Sequence, residues 1–313
     1  MIAAARNTNR NGGASAGGAL ARVRAVAGVA LCAFALGTAA QTPAAPAAPA
    51  KPKATKPAKK PADTGFRMVV QPEAMALLRA TSEKLAAAKT LQFTAVASYE
   101  YPSRLGPPIV YTMRYDVTMQ RPDKLRILVP GDGPASEFYY DGKTMVAYAP
   151  AENLAAVADA PPTVDAALLS AFKTAGIYFP FVDLLAADPY QALTDGVQLA
   201  FTVGPSGIVG GVKTDMVVWA NADVFLQIWI GADDKLPRRV RAMYRADPLG
   251  LRHEMELTNW QLDAPVAQDF FVATRAQGAG RMPFKAPGPP AKTMKPLAAG
   301  KAGAAPAKKQ GAQ

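Results

Sequence analysis

The chain has 313 residues, half of them hydrophobic, enough to bury one sizeable core. Its formal charge is +11, but residues 1–64 carry nine Lys/Arg against one acid and residues 281–313 carry seven against none. The stretch between holds 19 basic and 23 acidic residues, a net of −4, which argues against a nucleic-acid groove. One cysteine and one histidine leave no disulfide, no zinc–thiolate site and no histidine metal cluster.

At the N-terminus, Arg22 and Arg24 precede AVAGVALCAFALG and then TAAQ. A charged start, a short apolar centre and small residues at the end make a secretory signal, residues 1–40, with cleavage after Ala40 or, second, Ala39. Its apolar run of thirteen residues falls short of the roughly 20 that a membrane span needs. Leu31 stands before Cys32, where a lipoprotein signal has a small residue. Residues 41–65 are a Pro/Ala/Lys linker expected to be extended and disordered, and 284–313 are a basic tail of the same kind. Both tails read as solvated spacers, or as holds on an anionic envelope surface at about 1 kcal/mol per Lys. On charge alone the domain would not bind such a surface by itself.

One domain is expected from 66 to 283. QPEAMALLRATSEKLAAAKT (71–90) places Met75, Leu78, Ser82 and Leu85 at helical spacing behind Pro72 and Glu73. The period then becomes two. LQFTAVASYEY, VYTMRYDVTM, KLRILV and EFYYDGKTMVAYAP read as antiparallel strands, with Asp141-Gly142 as a hairpin turn. TVDAALLSAFKTAGI (163–177) is a helix capped by Thr163. GIYFPFVDLLAADPYQALTDG (176–196), broken by Pro180 and Pro189, is a second short helix with loops. Strands resume with VQLAFTVG, GGVKTDMVVWAN, FLQIWIG, LPRRVRAMYR and LRHEMELTNWQL.

Several of these stretches, in this order, resemble pieces of the lipoprotein-localisation superfamily of periplasmic carriers: RPDKLRI (121–127), YYDGKTMVAYAPAENLAAV (139–157), QIWIGADDKLPRRV (227–240) and DFFVATRAQGAG (269–280). Within it, GIYFPFVDLLAADP and the pair FLQIWI–LPRR are most similar to a family of predicted periplasmic proteins, domain of unknown function 2092. The resemblance covers about residues 70–283. That family commonly has a histidine in the strand before FLQIWI and an Asp-Trp pair opening it. Here Thr214-Asp215 and Val224-Phe225 stand in those places. The resemblance implies an α+β fold: an antiparallel half-barrel of ten to eleven strands, with an N-terminal helix and inserted plug helices. It also implies a periplasmic location and a cavity that accepts acyl chains. FLQIWI, apolar on both sides, would then cross the sheet centrally and be covered on both faces, while Arg239, Arg241 and Arg245 of the next strand face water.

Reaction chemistry is thin. His253, in LRHEMEL, reads as a core or cavity histidine, or as a polar contact for a ligand headgroup. No serine sits in a G-x-S-x-G, the glycine pairs lack a phosphate-loop ending, and Asp233-Asp234 is turn chemistry. An enzyme is not expected, nor a cofactor. The inward face is rich in aromatics and methionines, a combination suited to an adaptable apolar site. The candidate ligand-binding residues are Phe93, Tyr99, Tyr111, Met113, Tyr115, Met119, Phe225, Trp229, His253 and Met255. The expected role is binding of a lipid or acylated polypeptide. The alternative is an envelope structural or stress-sensing module that binds a protein.

Overall fold

The computed structural model describes residues 69–286, Leu105 and Asp132 excepted. The signal, the linker and the tail beyond 286 lie outside the described residues. Alternating apolar and polar side chains build twelve strands: β1 (Thr90–Ser103), β2 (Gly106–Gln120), β3 (Lys124–Val129), β4 (Ser136–Tyr140), β5 (Thr144–Ala149) and β6 (Leu154–Asp159) form the first half. The second half has β7 (Leu199–Ser206), β8 (Thr214–Ala220), β9 (Val224–Gly231), β10 (Pro237–Tyr244), β11 (Arg252–Leu262) and β12 (Gly280–Met282). They join one open sheet in the order β12-β6-β5-β4-β3-β2-β1-β11-β10-β9-β8-β7. This is the expected half-barrel with one strand more. The addition is β12, which runs parallel to β6 and at three residues is too short to show a period.

Two meanders therefore meet at a seam between distant parts of the chain, where β1 pairs with β11 (Ala97↔Met255, Tyr99↔His253). Pairing fixes the faces, because a strand alternates sides at every residue. The concave face carries Leu91, Phe93, Ala95, Ala97 and Tyr99 of β1, and opposite them Met119, Val117, Tyr115, Met113 and Tyr111 of β2. Ile127, Phe138, Ala147 and Ala156 continue that row across β3 to β6.

The α-helices cover this face. α1 (Pro72–Ala87) starts on Pro72, where a missing N–H costs nothing, and lays Ala74 and Leu78 on the side of β7 to β9. Between β6 and β7 run α2 (Val164–Ala175), α3 (Val182–Leu185) and α4 (Pro189–Thr194). Two short helices thus replace the single one expected after α2. The Thr163 hydroxyl caps α2 by accepting from Ala166 N, as its sequence position suggested. Gly176, at φ 69, ends it: its N–H and that of Ile177 return to Phe172 and Ala171.

The β9–β10 pair differs from expectation. In FLQIWI the buried set is Leu226, Ile228 and Ile230, with Val224 before them, packed under α1. Phe225 and Trp229 point to the convex side, with Phe225 38% exposed. FLQIWI is therefore covered on one face and only half-covered on the other. The arginine row holds as read: Arg239 and Arg241 lie outward and pair with Glu256 and Glu254 of β11. Packed structure also runs past 283, since Phe284 sits against the core and Ala286 N donates to Thr174 O (2.9 Å).

Candidate functional site

The C-terminal αL turn at Gly176 throws IYFPF across the concave face of the first meander. Phe179 and Phe181 plug its middle: their rings stack at 5.8 Å and meet Tyr115, Phe93 and Phe138 edge-on. Phe93 is pinned further by Trp260, stacked at 4.4 Å, whose indole N–H donates to Pro237 O. Toward β6 the plug no longer fills the hollow. Ala147, Ala149 and Ala156 give short side chains there, and a cavity of about 390 Å³ remains.

Met113, Tyr115, Ile127, Val129 and Phe138 line its sheet side, and Ile177, Tyr178 and Phe179 its roof. Its last wall is Met282–Lys285. That segment is a strap. Residues 268–279 lie on the convex side, where Ala276 and Ala279 pack on Tyr148 and Ala155. The strap then rounds the β6 edge as β12 and enters the concave side with Phe284. Gly280 allows this close passage: a Cβ there would stand 3.0 Å from the Leu154 side chain. On the convex side Arg275 pairs with the buried Glu137, which also accepts from the Tyr139 hydroxyl (2.6 Å). Burial and that bond push the Tyr139 phenol up to about 12. Arg126 lies over the ring of Phe270 at 4.2 Å, a second tie. Leu154, Tyr178 and Met282, all partly solvent-exposed, rim the opening.

Beside the cavity lies a cluster of rings at the seam. His253 faces Tyr99 at 6.4 Å and the edge of Tyr244 at 5.1 Å, and Tyr99 stacks on Tyr111 at 5.7 Å. Tyr178, in the cavity roof, is the cavity-lining residue next in sequence to the ring of Phe179. Burial raises the phenols of Tyr115, Tyr178 and Tyr244 and lowers the imidazole of His253, so all stay neutral near pH 7. Asp183, above them on α3, is raised to about 6 by burial, and one of its oxygens has no hydrogen-bond partner. A smaller hollow of about 230 Å³ lies between α2, α3 and α4, where Asp165 accepts from Ala187 N and Asp188 caps α4. Among the described residues no group of three or more metal-ligating side chains occurs, and no helix is long and apolar enough to cross a membrane.

The ten sequence candidates thus fall into four places. Met113 and Tyr115 line the cavity. Tyr99, Tyr111 and His253 form the adjoining cluster. Phe93, Met119 and Met255 are buried core. Phe225 and Trp229 are on the opposite face, because β9 carries large apolar residues at both parities and pairing with β10 assigns Trp229 to the side of Arg239. The lining of β3 to β6 was within reach of KLRILV and its register. The strap was not, since a wall made by its last residues shows only in three dimensions.

A model of the family described as "Predicted periplasmic protein (DUF2092)" matches residues 74–285. The chain belongs to that family. The DUF2092 match spans β1 to β12, and so includes the strap. No curated protein matches the chain. Among solved structures it is similar to the Mycobacterium tuberculosis lipoprotein LppX, at 13% identity over 64% of this chain and 100% of that one, TM-score 0.41. For LprF from Mycobacterium bovis the values are 18%, 63%, 96% and 0.39. For the LolA superfamily protein NE2245 from Nitrosomonas europaea they are 11%, 64%, 97% and 0.33. The fold itself rests on this chain's own strand order.

Proposed function

We propose that this DUF2092 protein binds an apolar ligand, a lipid or an acylated polypeptide, inside the half-barrel and performs no reaction on it. The observation that carries this reading is the cavity. Its volume of about 390 Å³ falls within the ~300–1,000 Å³ of ligand sites, and its sheet side is almost wholly apolar. Methionine and aromatic walls adapt to a flexible chain. The cluster beside it is made mainly of uncharged tyrosine rings, which suits an uncharged chain better than acid–base work. The family's description as predicted periplasmic is in keeping with such a binder.

Mass spectrometry of lipid released from the gently purified protein tests this. A bound acyl chain is expected, and Ala147→Phe, which fills the cavity floor, should remove it. A wild-type protein free of lipid that also takes none up from solution would sink the reading. A second reading, an envelope module that binds a protein, draws on Phe225, half-exposed beside Trp229 on the convex face. Crosslinking from position 225 that captures one defined protein, and no lipid in the cavity, would favour it.

A further inference from the structure

The β1–β2 ribbon is longer than the sheet that supports it. On one side β11 accompanies β1 only as far as Tyr99↔His253. On the other, β3 accompanies β2 only from Asp116 onward. The pairs Glu100↔Val110, Tyr101↔Ile109 and Ser103↔Gly106 therefore stand clear of the body as a two-stranded extension. A solvated ribbon would carry polar side chains on both faces. This one does not. Tyr101 and Ile109 are 46% and 47% exposed, Val110 61% and Tyr111 47%. Pro107 and Pro108 follow the turn and carry no backbone N–H, and because neighbouring residues face opposite edges, at most one of these donors is lost from the free edge of β2.

The exposed residues are not placed at random. Tyr101, Ile109, Tyr99 and Tyr111 share the concave face with Met113 and Tyr115, the first two cavity-lining residues of β2. One apolar row thus runs from the ribbon tip into the cavity. Its outer part is stiffened by rings, Tyr101 edge-on to Tyr111 and Tyr111 stacked on Tyr99. Tyrosine suits an interface that is wet at one end and apolar at the other. Nearby charge is matched or cationic: Glu100 is engaged by Arg252, and Arg104 lies exposed in the turn.

We infer that the β1–β2 ribbon docks on a phospholipid bilayer surface and that its concave-face row is the path by which an acyl chain reaches the cavity. The inference rests on the proposed apolar ligand, and adds where that ligand comes from. A bilayer fits these features better than a protein does. The concave face of the tip is an exposed apolar row, Val110 adds an exposed apolar side chain on the other face, and Arg104 in the turn has the sign that anionic headgroups attract. The basic tails would add attraction that salt removes, whereas the ribbon's contact is apolar and survives salt.

The test uses the full-length protein and vesicles of phosphatidylcholine with phosphatidylglycerol, floated at about 0.1 M and about 1 M salt, where screening lengths are roughly 10 and 3 Å. Wild type is expected to float with the vesicles in both. Ile109→Asp with Val110→Asp should weaken high-salt association roughly tenfold or more, and so should the uncharged pair Ile109→Ser with Val110→Ser. Both positions are exposed, so folding is spared, and circular dichroism verifies it. Uptake of a pyrene-labelled fatty acid from vesicles should slow by a similar factor in the variants, while uptake from detergent micelles stays at the wild-type rate. Variants that float and load like wild type would overturn the inference. So would a wild type that does not float at high salt, or one that self-associates through the ribbon instead. If no form takes up the fatty acid from micelles, it is the cavity reading that has failed.

Discussion

The two halves of the concave face solve the same problem differently. Over β7 to β9, a regular helix, α1, sets Ala74 and Leu78 directly on Trp219, Leu226 and Ile228, and the contact is solid. Over β2 to β6, the cover is mixed: the helix α2, then a five-residue aromatic turn and short helices, and finally the strap. Small residues on a helix bring it close to the sheet. Small residues on the sheet, Ala147, Ala149 and Ala156, under a cover held up by Phe179 and Phe181, leave a void. The hollow therefore lies where the chain has put alanine beneath an irregular roof.

The contrast can be broken from either side. The largest effect belongs to the packed half. Trp219→Ala removes a fully buried ring and should cost about 3–5 kcal/mol in denaturant unfolding, without changing the lipid content of the folded protein. Next comes the strap. Arg275→Ala leaves Glu137 buried with only the Tyr139 hydroxyl, at a cost of about 2 kcal/mol, and should speed ligand release because the cavity wall is loosened.

A smaller, pH-dependent effect tests the roof. Burial raises Asp183 to about 6, so the native state keeps a proton that the unfolded chain has already lost. Stability should therefore fall as pH rises from about 4 to 6, and Asp183→Asn should abolish that slope. His253 acts oppositely: burial lowers it, so its contribution falls as pH drops below its ordinary 6.5, and His253→Gln should flatten that part of the curve. Thermal melts across pH 4–8 separate the two. The smallest change in stability, within about 1 kcal/mol, is expected for Ala147→Phe, which has a void to enter. Its loss of bound lipid should be the largest.

What the amino-acid order revealed, and what it did not, follows from the same contrast. In β1, β2 and β3 one parity is apolar and the other polar, so faces and pairing could be read directly. Thr163 and Gly176 announced the ends of α2 through capping chemistry. In β9 both parities are apolar, and nothing local distinguishes Phe225 from Leu226. The choice is made by β10, whose Arg239 and Arg241 must reach water and whose register carries Trp229 out with them. The cavity was legible only as composition, a surplus of methionine and aromatic residues. Its outline depends on Ala147 and Ala156 standing beneath Phe179, and on Phe284 arriving from more than a hundred residues away, neither of which leaves a local period.

The strap also fixes a sequence in time. A chain emerging from its N-terminus completes α1 and the first meander early, and most of the cavity floor with them. The wall at Met282–Lys285 is among the last of the domain to appear. Until it does, β6 has a bare edge and the hollow lies open on that side. On the proposed binding function, loading is thereby reserved for a finished molecule. A nascent or C-terminally clipped chain would have the greasy floor but not the wall at Met282–Lys285, so under the proposed function it should bind ligand without retaining it.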